Sequence, residues 1–469
     1  MSQAMETSNG AGRRWIDYRA IWRWHFYAGI VCIPFMIVLA ITGSIYLFKP
    51  QVEAFVDRPY DRLTLTGSLA PLEAQVKAAE AAVPGSKLRE IVLAADPTDA
   101  TRVIVLDGDG EATRVYVRPD DLTILKNVRE DDRLMEVAKT IHGELLMGDR
   151  GSIVVELAAS WGILMVLTGL YLWWPRGASG LAGVVFPRLG RGSRLMWRDL
   201  HAVTGFWISG LVLFLLLTGL PWTTVWGEAF KEVRRLTGTA AVAQDWTNSR
   251  SQEHAEHRAE AQSADAMAMG GMDMGQMTLE EHMAMMGGAT PPLSWDQIAG
   301  RVRAMNLPPP VLVRPPSAKS PMWRVSSDTQ NRPKRVALEL DPASGGVVRR
   351  ETFGDKHPID KVVGVAIAAH EGQLFGPLNQ ALGVLAALGL VTLSVTAGMV
   401  WWKRRPDGVL GAPERLGDGK VSAGWIALVL ALGVFLPVLG ASLIALGLLE
   451  LLVLRWTPGV RTWLGLRPS

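Results

Sequence analysis

The stretch that decides the fold is "IHGELLMGDRGSIVVELAASWGILMVLTGLYLWWPR" (141–176), because a related stretch, "AHEGQLFGPLNQALGVLAALGLVTLSVTAGMVWWKR", occurs at 369–404. At an offset of 228 residues the alignment pairs two histidines, two threonines and two arginines: His142 with His370, Thr168 with Thr396, and Arg176 with Arg404. Each copy places a histidine ahead of an apolar run of about 20 residues, the length that a membrane-spanning helix needs.

A second pair of related stretches lies upstream of these two. "HFYAGIVCIPFMIVLAITG" begins at His25, and "HAVTGFWISGLVLFLLLTG" begins at His201, an offset of 176 residues. Both have glycine four residues after the histidine and end in Thr-Gly. The chain is therefore predicted to be an internal duplication, in which each unit reads helix, extracytoplasmic segment, helix. The offsets differ by 228 − 176 = 52 residues, which predicts an insertion in the second unit, placed by composition at 244–290.

Composition predicts a membrane protein, since 49% of the 469 residues are hydrophobic. Four nearly uncharged runs are long enough to span a bilayer: 26–48, 153–174, 202–226 and 380–402. A fifth apolar stretch, 423–454, is interrupted by Pro437 and predicts a shallow hairpin, with one tilted helix as the alternative. The only cysteine, Cys32, lies inside the first run, so there is no disulfide framework, and packing is its expected role.

Arginine and lysine cluster before the first run, between the second and third, and after the fourth. The positive-inside rule makes these segments cytoplasmic and the long loops periplasmic, in a bacterial inner membrane. The predicted segments are a cytoplasmic N-terminus (1–24), TM1 (25–48), periplasmic domain 1 (49–141), a pre-helix with TM2 (142–175), a cytoplasmic loop (176–200), TM3 (201–226), periplasmic domain 2 (227–369), a pre-helix with TM4 (370–402), a cytoplasmic loop (403–422), the C-terminal hairpin (423–455) and a cytoplasmic tail (456–469).

Each long loop is predicted to form a small α+β domain. In the first, a helical pattern at 71–85 precedes alternating, strand-like runs such as "TRVIVLD". In the second, "SWDQIAGRVRAM" is the helix, and "MWRVSSD" and "KRVALELDPASGGVV" are the strands. The same helix-then-hairpin order occurs in both loops.

Four of the eight histidines fall at positions related by the duplication. Neutral imidazole is a good haem ligand, and paired axial histidines favour electron transfer over oxygen binding. From His25 to Gly43 there are 18 residues, or about 27 Å of helix at roughly 1.5 Å per residue. One haem cannot use all four histidines, so His25 with His201 and His142 with His370 predict two haem b sites near opposite faces. The alternative is a set of interfacial histidines with structural roles. His357, beside Pro358, is interpreted as a loop residue.

The insertion has a different composition from the rest of the chain, because methionine and histidine dominate it. Thioether and imidazole ligands suit Cu(I), so the segment predicts a copper-binding loop, against the plainer interpretation of a low-complexity linker. The candidate ligands are His254, His257, Met267, Met269, Met272, Met274, Met277, His282, Met283, Met285 and Met286.

No glycine-rich phosphate loop, dinucleotide fingerprint or His-Glu-x-x-His motif occurs in the chain. Bound flavin or nicotinamide is therefore not expected, and the electrons would come from quinol or from a separate reductase. The expected partners are membrane lipid, a ferric chelate or copper ion, and that electron donor. Nucleic acid is not expected.

At these residues the chain resembles the PepSY-associated transmembrane family. The resemblance covers roughly 15–455, apart from the insertion, and includes the apolar "GVFLPVLGASLIALGLLELLVLR" near the end. It implies an α-helical inner-membrane protein with two periplasmic PepSY domains. Members include iron-regulated proteins and ferric-siderophore reductases that bind b-type haem through membrane-helix histidines, a role that His25, His142, His201 and His370 would inherit by position.

Two hypotheses follow from the sequence. The first is a dihaem oxidoreductase that passes electrons across the membrane to periplasmic Fe(III)-siderophore or Cu(II). The Met/His-rich insertion is unexpected in a siderophore reductase and favours copper. The second is a non-enzymatic PepSY-containing binding or regulatory protein, or a copper-binding accessory protein, in which the histidines are structural.

Overall fold

Long apolar helices and one antiparallel β-sheet make up the computed structural model, which describes residues 18–176, 180–239, 251–259, 293–317, 320–413 and 422–466. The helices are α1 (Tyr18–Tyr46), α2 (Lys49–Asp57), α3 (Leu72–Ala82), α4 (Leu134–Glu144), α5 (Asp149–Trp173), α6 (Ser193–Gly219), α7 (Thr224–Leu236), α8 (Trp295–Ala304), α9 (Pro358–His370), α10 (Pro377–Arg404), α11 (Ala423–Phe435), α12 (Pro437–Leu452) and α13 (Pro458–Leu464). A further helical segment covers 251–259.

Five helices among the described residues are long and apolar enough to cross a membrane: α1, α5, α6 continued to Trp222, α10, and α12 continued to Trp456. The first four overlap the four runs predicted from hydropathy, although three of those runs extend slightly past the C-terminal end of the helix. Both α1 and α6 begin several residues before the apolar run, so that His25 and His201 lie inside a helix and not at its start. Arginines can occupy these helix starts because their long side chains carry the charge away from the apolar surface.

The described residues divide into two compact units. The first takes its residues from 1–40, 156–217 and 388–469, and the second from 41–155 and 218–387. In the first unit, Cys32 is only 2% exposed and packs with Met36 and Ala158, the packing role predicted for it. The small alanine side chain on α5 lets the two helices pack closely at this point.

The C-terminal apolar stretch folds as two helices, α11 and α12, separated by Leu436. Proline at the first position of α12 lacks the N–H that a continuous helix would use. Gly433 on α11 and Gly440 on α12 lie so close together that a Cβ added at Gly440 would be 2.4 Å from the carbonyl oxygen of Gly433. The chain therefore turns back sharply between these two glycines. Only the second of these two helices reaches spanning length.

An eight-stranded antiparallel sheet forms the centre of the second unit, in the order β4-β3-β2-β1-β5-β6-β7-β8. The strands are β1 (Lys87–Leu93), β2 (Thr101–Leu106), β3 (Ala112–Val117), β4 (Ile124–Arg129), β5 (Val311–Arg314), β6 (Trp323–Ser327), β7 (Val336–Leu340) and β8 (Val347–Thr352). Five of them lie almost entirely within the predicted strand-like runs, and β4 and β8 overlap such runs only at 124–125 and 347–348.

The remaining strand, β5, joins the two halves of the sheet. It pairs with β1 through Ile91 and Val313, Val92 and Leu312, and Leu93 and Val311. The two α+β segments therefore share one continuous sheet, which the sequence did not predict. The missed strand is only four residues long and lies between prolines in "LPPPVLVRPP", a context typical of a loop.

Helices α3 and α8 cover the sheet. Leu72 and Val76 from α3 share one buried cluster with Ile298 and Val302 from α8 and with sheet residues such as Trp323. Trp295 and Trp323 meet edge to face, with ring centres 4.6 Å apart. Ser294 begins α8 with a capping box that includes Gln297.

Candidate functional site

The first histidine pair lies in the first unit, on α1 and α6. The ring centres of His25 and His201 are 6.4 Å apart, and the ring planes are nearly perpendicular, at 78°. Nδ1 of His25 lies 3.0 Å from the hydroxyl oxygen of Thr168. Nδ1 of His201 lies 3.2 Å from that of Thr396 and 3.1 Å from the carbonyl oxygen of Leu393.

The second pair lies in the second unit and has the same local geometry. His142 is in the last turn of α4, and His370 ends α9. Their ring centres are 6.5 Å apart, at an angle of 72°. Nδ1 of His142 lies 3.1 Å from the hydroxyl oxygen of Thr42, and Nδ1 of His370 lies 2.8 Å from that of Thr218.

The spacing of both pairs fits two imidazoles that share one metal ion. A metal–nitrogen bond is roughly 2.0–2.1 Å long, and the nitrogen lies about 1.1 Å from the centre of its ring. Two imidazoles that bind one ion from opposite sides therefore have ring centres about 6.3 Å apart. The observed separations are 6.4 Å and 6.5 Å.

The threonines set the proton position on the first pair. The Thr168 hydroxyl donates to the carbonyl oxygen of Leu164 at 2.8 Å, and the Thr396 hydroxyl donates to that of Thr392 at 2.7 Å. Each hydroxyl oxygen therefore accepts the Nδ1–H of its histidine. This selects the tautomer with its lone pair on Nε2, the form that ligates a metal, and it is the usual arrangement around ligating histidines.

Glycines lie directly against three of the four rings. An added Cβ would be 3.2 Å from Cε1 of His25 at Gly169, 3.0 Å from Cε1 of His142 at Gly43, and 3.5 Å from Cε1 of His370 at Gly219. A side chain at Gly43 or Gly169 would push the neighbouring imidazole out of position. The Thr-Gly pairs of the sequence thus supply a hydrogen-bond acceptor and room for the ring.

A cavity of about 2410 Å³ lies within the first unit and has His25 and His201 in its lining, together with Gly29 and Gly205. Ordinary small-molecule sites have volumes of roughly 300–1,000 Å³, so this cavity has room for a macrocycle. The histidine spacing, the tautomer and the cavity all fit a haem between these two rings.

Ion pairs anchor the two helices that carry the second histidine pair. Glu136, in the first turn of α4, accepts from Nζ of Lys49 at 2.9 Å. Burial alone would raise the pKa of the Glu136 carboxyl, but the positive charges of Lys139 and Lys49 outweigh it and lower the pKa. Asp360, in the first turn of α9, accepts two bonds from Arg234, at 2.6 and 2.9 Å, with both side chains buried.

Two other side chains lie next to His370. The Trp222 ring meets it edge to face, with ring centres 5.7 Å apart. Glu371 follows it in the chain, and burial raises the pKa of this carboxyl against the opposing positive charges of Arg332 and Lys49. His357, interpreted from the sequence as a loop residue, begins α9 and accepts from the backbone N–H of Ile359 at 3.2 Å.

The predicted copper ligands are only partly within the described residues. His254 lies in the helical segment 251–259, with Nε2 3.0 Å from Asp131. The His257 ring is buried, with its centre 6.4 Å from that of His254. The other candidates, namely Met267, Met269, Met272, Met274, Met277, His282, Met283, Met285 and Met286, lie outside the described residues.

Within the described part of the chain, no cluster of three or more histidine, cysteine or acidic side chains could hold a bare metal ion. The histidine pairs do not conflict with this result, because a haem brings nitrogen ligands of its own and would need only these two histidines from the protein at each pair.

The sequence placed the four histidines, but it did not assign a role to their threonine partners. All four threonines occupy repeat-related positions, and that was the available signal. Identifying them as acceptors for Nδ1 required the helices to be packed, since each contact joins residues 100 or more positions apart.

Membrane-spanning helices with a long antiparallel sheet and paired histidines define a polytopic membrane protein with a candidate cofactor site. A family model described as the PepSY-associated TM region matches residues 22–404, and the chain belongs to this family. The match confirms the resemblance predicted from the sequence. Comparison with curated proteins finds no match.

Proposed function

We propose that the protein is a membrane-bound dihaem oxidoreductase that passes single electrons to a metal substrate, either Fe(III) in a siderophore or Cu(II). The observation that supports this most is the repeated arrangement of two histidines with ring centres about 6.4 Å apart, each bonded through Nδ1 to a threonine. His25 and His201 would hold one haem b, and His142 and His370 the other. Haem, when bound, supplies reversible one-electron chemistry at iron.

The chain's own residues would orient the group and keep water away from it. In both units a histidine from one helix bonds to a threonine of another, and each bond joins positions within the same predicted repeat. This supports an internal duplication. The charge distribution supports a bacterial inner-membrane location, with a cytoplasmic N-terminus and both long loops in the periplasm.

An optical spectrum of the purified full-length protein, expressed with adequate haem supply, tests the proposal. We expect a Soret band and, after reduction, a b-type α-band, with two haems per chain. A colourless protein would leave the non-enzymatic binding or regulatory role as the better account. Stopped-flow oxidation of the reduced protein by Fe(III)-siderophore or by Cu(II) distinguishes the two substrates.

Replacing Thr168 by valine keeps the side-chain shape and removes the hydroxyl acceptor for Nδ1 of His25. Loss of such a supporting bond costs about 10- to 100-fold in metal affinity, so we expect faster transfer of haem to apomyoglobin. Thr392→Val is the matched control, because the Thr392 hydroxyl bonds only to the carbonyl oxygen of Leu388 at 2.8 Å, on the outside of the same bundle of helices. Equal transfer rates in the two variants would contradict the role given to Thr168.

Copper enters the proposal through the insertion. Replacing 250–288 by a Gly/Ser linker of equal length is expected to abolish Cu(I) binding, measured by competition with a chromophoric chelator, because soft thioether and imidazole ligands are removed. The haem spectrum should not change. Undiminished Cu(I) binding would remove the insertion from the proposed function and favour Fe(III) as substrate.

A further inference from the structure

The cavity around His25 and His201 has an unusual charge. Eight arginines contribute to its lining, whereas no aspartate or glutamate does so among the described residues. Positive charges beside an apolar cavity are costly unless a carboxylate, another anion or water accompanies them. The cavity is therefore suited to a ligand that is mostly apolar and carries negative charge at one edge.

Some of these arginines already have partners in the fold. Arg188 and Arg198 both bind the fully buried carboxylate of Asp199, at 2.6 and 2.7 Å. Arg23 donates to the backbone carbonyl oxygens of Pro413 and Gly465. These three side chains stabilise the loops and helix ends that they join.

Arg404 is placed differently. Its guanidinium lies over the rings of Trp22 and Phe26, 4.9 and 5.2 Å from their centres. One Nη donates to the carbonyl oxygen of Gly411 at 3.1 Å, but Nε is buried and has no hydrogen-bond partner among the described residues. A buried N–H without an acceptor points to an anionic ligand here.

Arg176 occupies the corresponding position in the other repeat, 228 residues earlier, after the same Trp-Trp pair. It also lines the cavity, and its guanidinium lies over the rings of Tyr18 and Tyr171, 5.1 and 4.5 Å from their centres. Stacking on aromatic rings holds the planar group in a fixed orientation, which a lysine cannot reproduce. Each repeat thus contributes to the same cavity one histidine and one ring-stacked arginine that lies two residues after its Trp-Trp pair. Arg19 and Arg23 line the cavity as well and lie over Trp22 and Tyr27.

We propose that Arg176 and Arg404 each bind one of the two propionate carboxylates of the haem held by His25 and His201. The inference rests on the proposed function, since it assigns the acidic edge of the same ligand. Two histidines would hold the group, and the two arginines that follow the Trp-Trp pairs would meet its two carboxylates. Arginine binds a carboxylate through paired N–H donors, and the pairing neutralises a charge that an apolar cavity would otherwise exclude.

The test compares Arg404→Gln and Arg176→Gln with Arg405→Gln in the full-length protein. Arg405 is a matched control, because it is the next residue, also stacks on tryptophans (Trp401 and Trp402), and is not part of the cavity lining. Loss of a charge-assisted bond should speed the transfer of one haem to apomyoglobin by about tenfold or more in Arg404→Gln and Arg176→Gln. The second haem should stay bound, which shows that the variants are folded. Arg404→Lys, which keeps the charge, should fall between Arg404→Gln and the parent protein.

Reconstitution with haem dimethyl ester gives the second arm. With the carboxylates blocked, the parent protein should lose the ester as readily as Arg404→Gln does, and the substitutions should have no further effect. Haem loss from Arg404→Gln at the Arg405→Gln rate, or an undiminished effect with the ester, would overturn the inference and leave the dihaem proposal standing. A parent protein that binds no haem would overturn both.

Discussion

His25→Ala is expected to lower the haem content of the purified protein from two per chain to one. The substitution removes one axial ligand, and His201 alone offers a single bond to a ligand that would otherwise be held from both sides. The remaining haem would be the one between His142 and His370, which lie in the second unit together with their threonine partners. A pyridine haemochrome assay against protein concentration measures the ratio.

His357→Ala is the control for this experiment, because His357 caps α9 and belongs to neither pair. It should keep two haems. Millimolar imidazole should restore the second haem to His25→Ala by filling the space of the lost ring, which separates ligand loss from misfolding. Two haems in His25→Ala without imidazole would show that this histidine is not a ligand.

Asp360→Ala is expected to destabilise the second unit by about 3–5 kcal/mol, because it leaves the guanidinium of Arg234 buried without its carboxylate. The two side chains are only 2% and 8% exposed and are joined by two short bonds. Since Asp360 lies in the first turn of the helix that ends at His370, we also expect weakened binding of the haem assigned to that histidine. Thermal unfolding in detergent, followed by tryptophan fluorescence, reports the stability.

Glu232→Gln provides the matched control on the same helix as Arg234. Glu232 accepts from Nε of Arg235 at 2.7 Å, but this pair is exposed, and exposed ion pairs contribute little. Its melting temperature should equal that of the parent protein. An Asp360→Ala variant with an unchanged melting temperature and both haems would show that the buried pair does not position α9.

Each of the four paired histidines contacts a threonine, and no acidic side chain among the described residues lines the cavity around His25 and His201. The role proposed for the histidines would explain both observations. A neutral imidazole binds iron through one nitrogen and needs an acceptor, not a base, at the other. A threonine hydroxyl provides this acceptor without adding charge to an apolar helix bundle. A carboxylate in the same place would have to be neutralised or removed from water at considerable cost.

Several features of this protein follow from the sequence alone. Hydropathy located the long apolar helices because backbone groups in lipid must bond within their own helix, and about 20 apolar residues are needed to cross. Alignment of the repeats at offsets of 176 and 228 residues showed that four of the eight histidines occupy corresponding positions, and that four threonines do so too. Alternating patterns predicted five of the eight strands almost in full and the first residues of β4 and β8, since a strand that covers a core presents one face to it.

Other features were decided only by the tertiary structure, because they depend on contacts between residues far apart in the chain. Strand β5 is too short to be recognised alone and forms by pairing with β1, which turns two predicted α+β segments into one sheet. The ring spacing at each histidine pair depends on how the helices pack. Arg176 and Arg404 looked like ordinary charges at helix ends in the sequence. Packing placed aromatic rings beneath them and the histidine-lined cavity beside them.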